Sequence, residues 1–69
     1  MKKFYVTFRK LSRLRNHYAV ITAYSIKDAS SIANEIFKNV DKVFYEEKFT
    51  RAMYYKGRIA EVRQDNFLG

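Results

Sequence analysis

The sequence predicts an α+β domain: a small antiparallel sheet, β-β-α-β-β-β in chain order, with one helix packed across one face. Three observations predict it. Lys3 to Arg9 alternates apolar and polar residues, His17 to Tyr24 is a run of β-branched and aromatic residues, and a capped apolar stripe at helical spacing starts at Ser25. The 69 residues leave room for one domain, 1–69, with a thin core.

Each element follows from its own pattern. In Lys3–Arg9, Phe4, Val6 and Phe8 point one way while Lys3, Tyr5, Thr7 and Arg9 point the other, as in a strand with one buried face. Lys10 to Asn16 breaks the alternation and is expected as a loop. His17 to Tyr24 reads as a second strand, and the short connection makes the pair an antiparallel hairpin. Ser25-Ile26-Lys27-Asp28 is a capping box, in which the Ser hydroxyl and the Asp carboxylate each satisfy an orphan amide. Ile26, Ala29, Ile32, Ala33, Ile36, Phe37 and Val40 then form one stripe, whose alanines let the helix approach the sheet closely. Asn39 tolerates a left-handed backbone and is expected to end the helix. Lys42–Phe49, Arg51–Tyr55 and Arg58–Arg63 read as three further strands. The last two are expected to join at Lys56-Gly57, where glycine suits the positive φ of a tight turn. Asp65–Gly69 is expected to fray.

Composition narrows the chemistry. With no cysteine there is no disulfide and no zinc-thiolate site. With no proline and two glycines, disorder and flexible linkers are disfavoured. His17–Ile26 carries no charge, but ten residues fall far short of a membrane span. Arg9 interrupts the apolar run that follows Met1-Lys2-Lys3, which argues against a signal peptide. The expectation is a soluble cytoplasmic protein with no membrane partner.

The charge is unevenly placed. Fourteen Lys+Arg against seven Asp+Glu gives +7. Met1 to Tyr24 holds six of the basic residues (Lys2, Lys3, Arg9, Lys10, Arg13 and Arg15) and no acid. Such asymmetry attracts polyanions and speeds encounter with them. It also serves solubility, as any small charged domain shows.

The catalytic inventory is poor. His17 is the only histidine, and the serines have no nucleophile-elbow setting. Glu46 and Glu47 are adjacent on an expected strand, so they point to opposite faces and do not form an acid–base pair. No phosphate-cradling glycine loop or metal-ligand cluster is present, and no cofactor is implied. The expectation is a non-enzyme. One enzymatic alternative is a metal-free ribonuclease of the toxin type, built from His17, Arg13, Arg15 and Tyr18.

The binding inventory is richer. Phe4, Phe8, Phe37 and Phe44 suit a core, which leaves six tyrosines. One helix covers one face of a sheet, so the other is expected to show Tyr5, Tyr18 and Tyr24 among Lys3, Arg51 and Arg58. That composition suits stacked bases and neutralised phosphates. It equally suits a protein hot spot, or a core whose hydroxyls reach water. Arg9, Lys10, Arg13 and Arg15 crowd the hairpin loop, where two-pronged Arg contacts can grip phosphate or carboxylate. Leu11 and Leu14 interleave with them, either to anchor the loop or to insert into a partner.

The run Phe4-Tyr5-Val6-Thr7-Phe8, then Val20 to Ser25, Asp28-Ala29 with Ile32-Ala33 and Phe37, then Val43-Phe44-Tyr45-Glu46, resembles many small phage and prophage open reading frames. The resemblance covers Lys3 to Phe49. It implies a mobile-element origin, a bacterial host cytoplasm, and a non-enzymatic protein that binds nucleic acid or clamps a host machine such as a polymerase or CRISPR effector. A basic chain is the opposite of an acidic DNA mimic. The expected function is binding of nucleic acid or a nucleoprotein complex through residues 9–16 and the aromatic-basic face. The alternative is a protein-binding inhibitor of anti-defence or anti-CRISPR type. A homodimer through exposed strand edges is a further expectation.

Overall fold

Lys2–Phe8 (β1) and His17–Ala23 (β2) form the expected antiparallel hairpin, with Phe4 opposite Ile21 and Val6 opposite Ala19. The structure is a computed structural model that describes residues 1–50 and 55–67. Ile26–Ile36 (α1) follows, then Val40–Tyr45 (β3), a 3₁₀ turn at Glu46–Lys48, Gly57–Arg63 (β4) and a helical turn at Gln64–Phe67 (α2). The domain is α+β, with one main helix and four strands among the described residues in the order β3-β1-β2-β4. The strand expected at Arg51–Tyr55 falls at residues 51–54 outside the described residues. No described helix is long and apolar enough to cross a membrane.

The sheet is mixed, which corrects the antiparallel expectation. β4 runs parallel to β2, with His17 opposite Gly57 and Ile21 opposite Val62. Because β1 is antiparallel to both β2 and β3, the strands β2, β3 and β4 all run the same way. Parallel strands need a crossover from one end of the sheet to the other. The fold has two. Helix α1 carries the chain from β2 to β3 over one face, and between β3 and β4 Phe49 and Tyr55 pack on the other.

The first crossover forms much as its pattern indicates. Ser25 caps α1 by accepting the Asp28 amide on its hydroxyl at 3.1 Å. Ala29, Ile32 and Ala33 bury against Phe4, Val6, Phe8, Ala19, Ile21 and Ala23, so the small helix residues do seat the helix on the sheet. The stripe is shorter than expected. Ile36 ends the helix partly exposed, and Phe37 caps it in an extended conformation. Phe37 sets its ring edge-on to Phe8 at 5.3 Å, while Val40 already belongs to β3. Asn39 takes the left-handed backbone, φ 61°, beyond the helix end. Only half of the capping box forms among the described hydrogen bonds. The Asp28 carboxylate instead accepts a bond from Gln64 Nε2 at 3.2 Å.

Three further expectations change. The third strand stops at Tyr45, where the chain turns into the 3₁₀ turn to begin its crossover. Gly57 opens β4 without a positive φ, because the chain arrives there for parallel pairing and not for a tight hairpin. The expected frayed tail begins as an ordered turn. Gln64 is buried, accepts the Tyr24 amide on Oε1 at 2.9 Å, and so joins the ends of β2, β4 and α1.

Candidate functional site

The second crossover decides what the other sheet face offers. Tyr5, Tyr18 and Val20 project there and are packed by Phe44, Phe49 and Tyr55. Phe49 stacks on Tyr5 at 4.6 Å with planes 13° apart, and its centroid lies 5.0 Å from those of both Tyr18 and Tyr55. The Tyr5 hydroxyl donates to Glu46 Oε2 at 3.1 Å. Tyr5 and Tyr18 are therefore only 7% and 8% exposed. This corrects the expected bare aromatic platform. The two rings form a second small core, because a crossover from the free end of β3 to the start of β4 has to pass over them.

The remaining site candidates separate to the two ends of the sheet. Lys3 and Tyr24 lie at the end opposite the hairpin loop, since Lys3 pairs with Thr22 near the close of β2. That is roughly 17 Å from His17, at about 3.4 Å per residue. Tyr24 is 67% exposed there. Lys3 lines a cleft of about 450 Å³ with Met1, Lys2, Tyr45, Glu46 and Glu47, whose two lysines face two glutamates. Arg58 sits beside Tyr18 in the sheet register, but its guanidinium pairs with Glu61 at 2.6 Å. Arg63 likewise pairs with Asp65 at 3.2 Å. A hydrogen bond from Arg63 lowers the Asp65 carboxyl below its ordinary value, against some desolvation and with help from the Arg63 charge. Arg51 lies outside the described residues.

The hairpin loop keeps its cations together. Three successive backbone bonds shape it: Ser12 N to Arg9 O at 2.9 Å, Arg15 N to Ser12 O at 3.2 Å and His17 N to Leu14 O at 2.8 Å. The buried Ser12 adds a hydroxyl contact from the Leu14 amide at 3.0 Å. Both crossovers pin the base of the loop. The Arg9 amide donates to Asn39 O at 2.9 Å, and the Lys56 amide donates to Asn16 O at 2.6 Å. Leu14 packs against the main core and is the anchor, whereas Leu11 is 99% exposed. Leu14 thus takes the anchoring role that the sequence offered to both leucines, and Leu11 does not.

Beside this loop lies a cleft of about 380 Å³ lined by Leu11, Ser12, Arg13, Arg15, Asn16, His17 and Lys56. Arg13, Arg15 and Lys56 bring three positive charges to it, and no acid lines it. Arg9, Lys10, Arg13, Arg15 and Lys56 are exposed and have no ion pair among the described residues. Lys56 is the member that sequence reasoning missed. Only the parallel entry of β4 next to Asn16 brings it to the loop. His17 lines the same cleft, yet its Nδ1 is buried and meets no hydrogen-bond partner among the described residues. A general base is commonly oriented through its second ring nitrogen, and none of the described residues does this for His17. Nor do the described residues hold a cluster of His, Cys, Asp or Glu fit for a metal. None of the family models, curated proteins or solved structures compared with the chain matches it.

Proposed function

We propose that this chain is a non-catalytic nucleic-acid-binding domain that holds phosphates at the loop end of its sheet. Arg9, Lys10, Arg13, Arg15 and Lys56 carry the contact, and the aromatic face is left out of it. The observation that supports this most is the acid-free cleft, with Arg13, Arg15 and Lys56 around it and their charges unspent on internal pairs among the described residues. Guanidinium groups pair with phosphate oxygens in two-pronged fashion. A loop backbone clamped at both ends lowers the ordering cost at the moment of binding to that of the side chains themselves. Arg58, neutralised by Glu61, contributes little.

The test is fluorescence anisotropy with labelled DNA and RNA oligomers across a salt series. Five phosphate contacts give a log–log salt slope of about −4.5 on duplex DNA, at about 0.9 per contact. Affinity then falls roughly 500-fold between about 50 and 200 mM salt. Arg13→Ala with Arg15→Ala brings the slope to about −2.7. A slope near zero for the wild type overturns the proposal. A partner still captured from lysate after nuclease treatment, with no oligomer binding, does the same.

A further inference from the structure

We infer that Leu11 is an apolar wedge that enters the minor groove of duplex DNA and kinks it while the surrounding cations hold the flanking phosphates. The inference rests on the nucleic-acid reading and names the form of nucleic acid. Three observations carry it. Leu11 is 99% exposed at the apex of a loop whose other leucine is anchored in the core. Burying a leucine is favourable, so a partner that covers Leu11 gains from the contact. The presentation is fixed, because consecutive turn bonds from Arg9 to His17 and the two clamps at Asn39 and Asn16 set the loop's shape. A wedge has to be rigid to separate stacked bases.

The third observation selects the duplex over a single strand. Single strands are gripped by stacking bases on exposed rings. Tyr5 and Tyr18 are buried under Phe49 and Tyr55, Phe8 is buried in the main core, and Tyr55, beside Lys56, is itself half-buried in the ring cluster. The exposed Tyr24 lies at the far end of the sheet. Among the described residues, the apolar side chain left exposed at the cationic end is Leu11, next to Lys10 in the chain, with Arg9 and Arg13 beyond. Aliphatic wedges act by partial insertion at a base step from the minor groove, bending the duplex toward the major groove. Arg9 and Lys10 on one side and Arg13 and Arg15 on the other then meet the phosphates that the bend brings closer.

The probe is a DNA duplex of about 20 base pairs with a donor and an acceptor dye at its ends, short enough to be stiff when free. Saturating wild-type protein is expected to raise energy transfer. Leu11→Ala is expected to keep the melting temperature and the salt slope, to bind about tenfold more weakly, and to lose the rise in transfer. A central mismatch, which lowers the cost of unstacking, is expected to tighten wild-type binding several-fold and to leave Leu11→Ala indifferent. Equal energy transfer with Leu11→Ala overturns the wedge, and so does wild-type binding without any rise in transfer. Preference for a single strand also overturns it. In each of those outcomes steep salt dependence leaves the phosphate contact standing. Absence of binding to any oligomer removes both.

Discussion

Replacing Phe49 by Ala removes the ring that stacks on Tyr5 at 4.6 Å and touches Tyr18, Tyr55 and Phe44 at centroid distances of 5.0, 5.0 and 6.3 Å. A fully buried Phe→Ala change costs about 3–5 kcal/mol. Phe49 is half-buried, so its own loss is near half of that, and the newly wetted faces of Tyr5 and Tyr18 add to it. The expected cost is roughly 2–3 kcal/mol, since aromatic pairs contribute about 0.5–1.5 kcal/mol beyond their buried area. A 69-residue domain has a total stability of only roughly 3–10 kcal/mol at about 0.05–0.15 kcal/mol per residue. Thermal melting followed by tyrosine near-ultraviolet circular dichroism is expected to shift down by roughly 10–20 °C, at about 4–8 °C per kcal/mol. Urea midpoints move with it. Nucleic-acid affinity measured well below the midpoint stays unchanged, because the covered face lies outside the proposed contact. A melting temperature within about 2 °C of the wild type, less than the shift that 1 kcal/mol produces, refutes the reasoning. It would mean that the second crossover does not rest on the sheet, and Tyr5 and Tyr18 would return as candidates for base stacking.

Three further outcomes follow from single contacts. Gln64→Leu leaves the Tyr24 amide and the Asp28 carboxylate without their partner and is expected to cost about 1–3 kcal/mol in urea unfolding. Asn39→Ala keeps a β-carbon in the left-handed region at φ 61° but removes the short polar side chain that makes asparagine tolerate it, and is expected to cost about 1 kcal/mol, while Asn39→Gly is neutral or better. Hydrogen exchange at the Arg9 amide, whose acceptor is Asn39 O, checks the local effect. The lowered Asp65 carboxyl contributes stability that is complete above the unfolded value, about 3.9, and is lost as pH falls through the lower folded value. Asp65→Asn is therefore expected to lower stability slightly at neutral pH, to match the wild type once pH falls below the folded value, and so to flatten the acid limb of stability below about pH 4.

The parts of the site that were legible are those carried by contiguous chain. Arg9 to Asn16 is basic in the sequence and stays together in space because a hairpin closes around it. Lys56 is forty residues from Asn16 in the chain, and nothing periodic marks its place. Arg58 looked like a free cation until the i,i+3 neighbour Glu61 was seen to pair with it across a strand irregularity at Tyr18/Ala19. Tyr24 and Lys3 carry suitable chemistry and sit at the end of the sheet opposite the loop. Their separation from the loop follows from strand length, but which end matters depends on where the cations gather.

Local patterning by itself determined the hairpin, the capped helix, the two-faced alternation of β1 and the cationic opening third. Period-two and period-3.6 spacing are properties of neighbouring residues, and they say which side chains share a face. They do not say what lies on that face. Whether Tyr5 and Tyr18 meet water was decided by β4 joining β2 in parallel at the far edge of the sheet, with Phe49 and Tyr55 of the connection packed on the face that α1 leaves open. Edge choice and crossover path are set by long-range pairing and burial of area, and these leave no repeating signature along the chain.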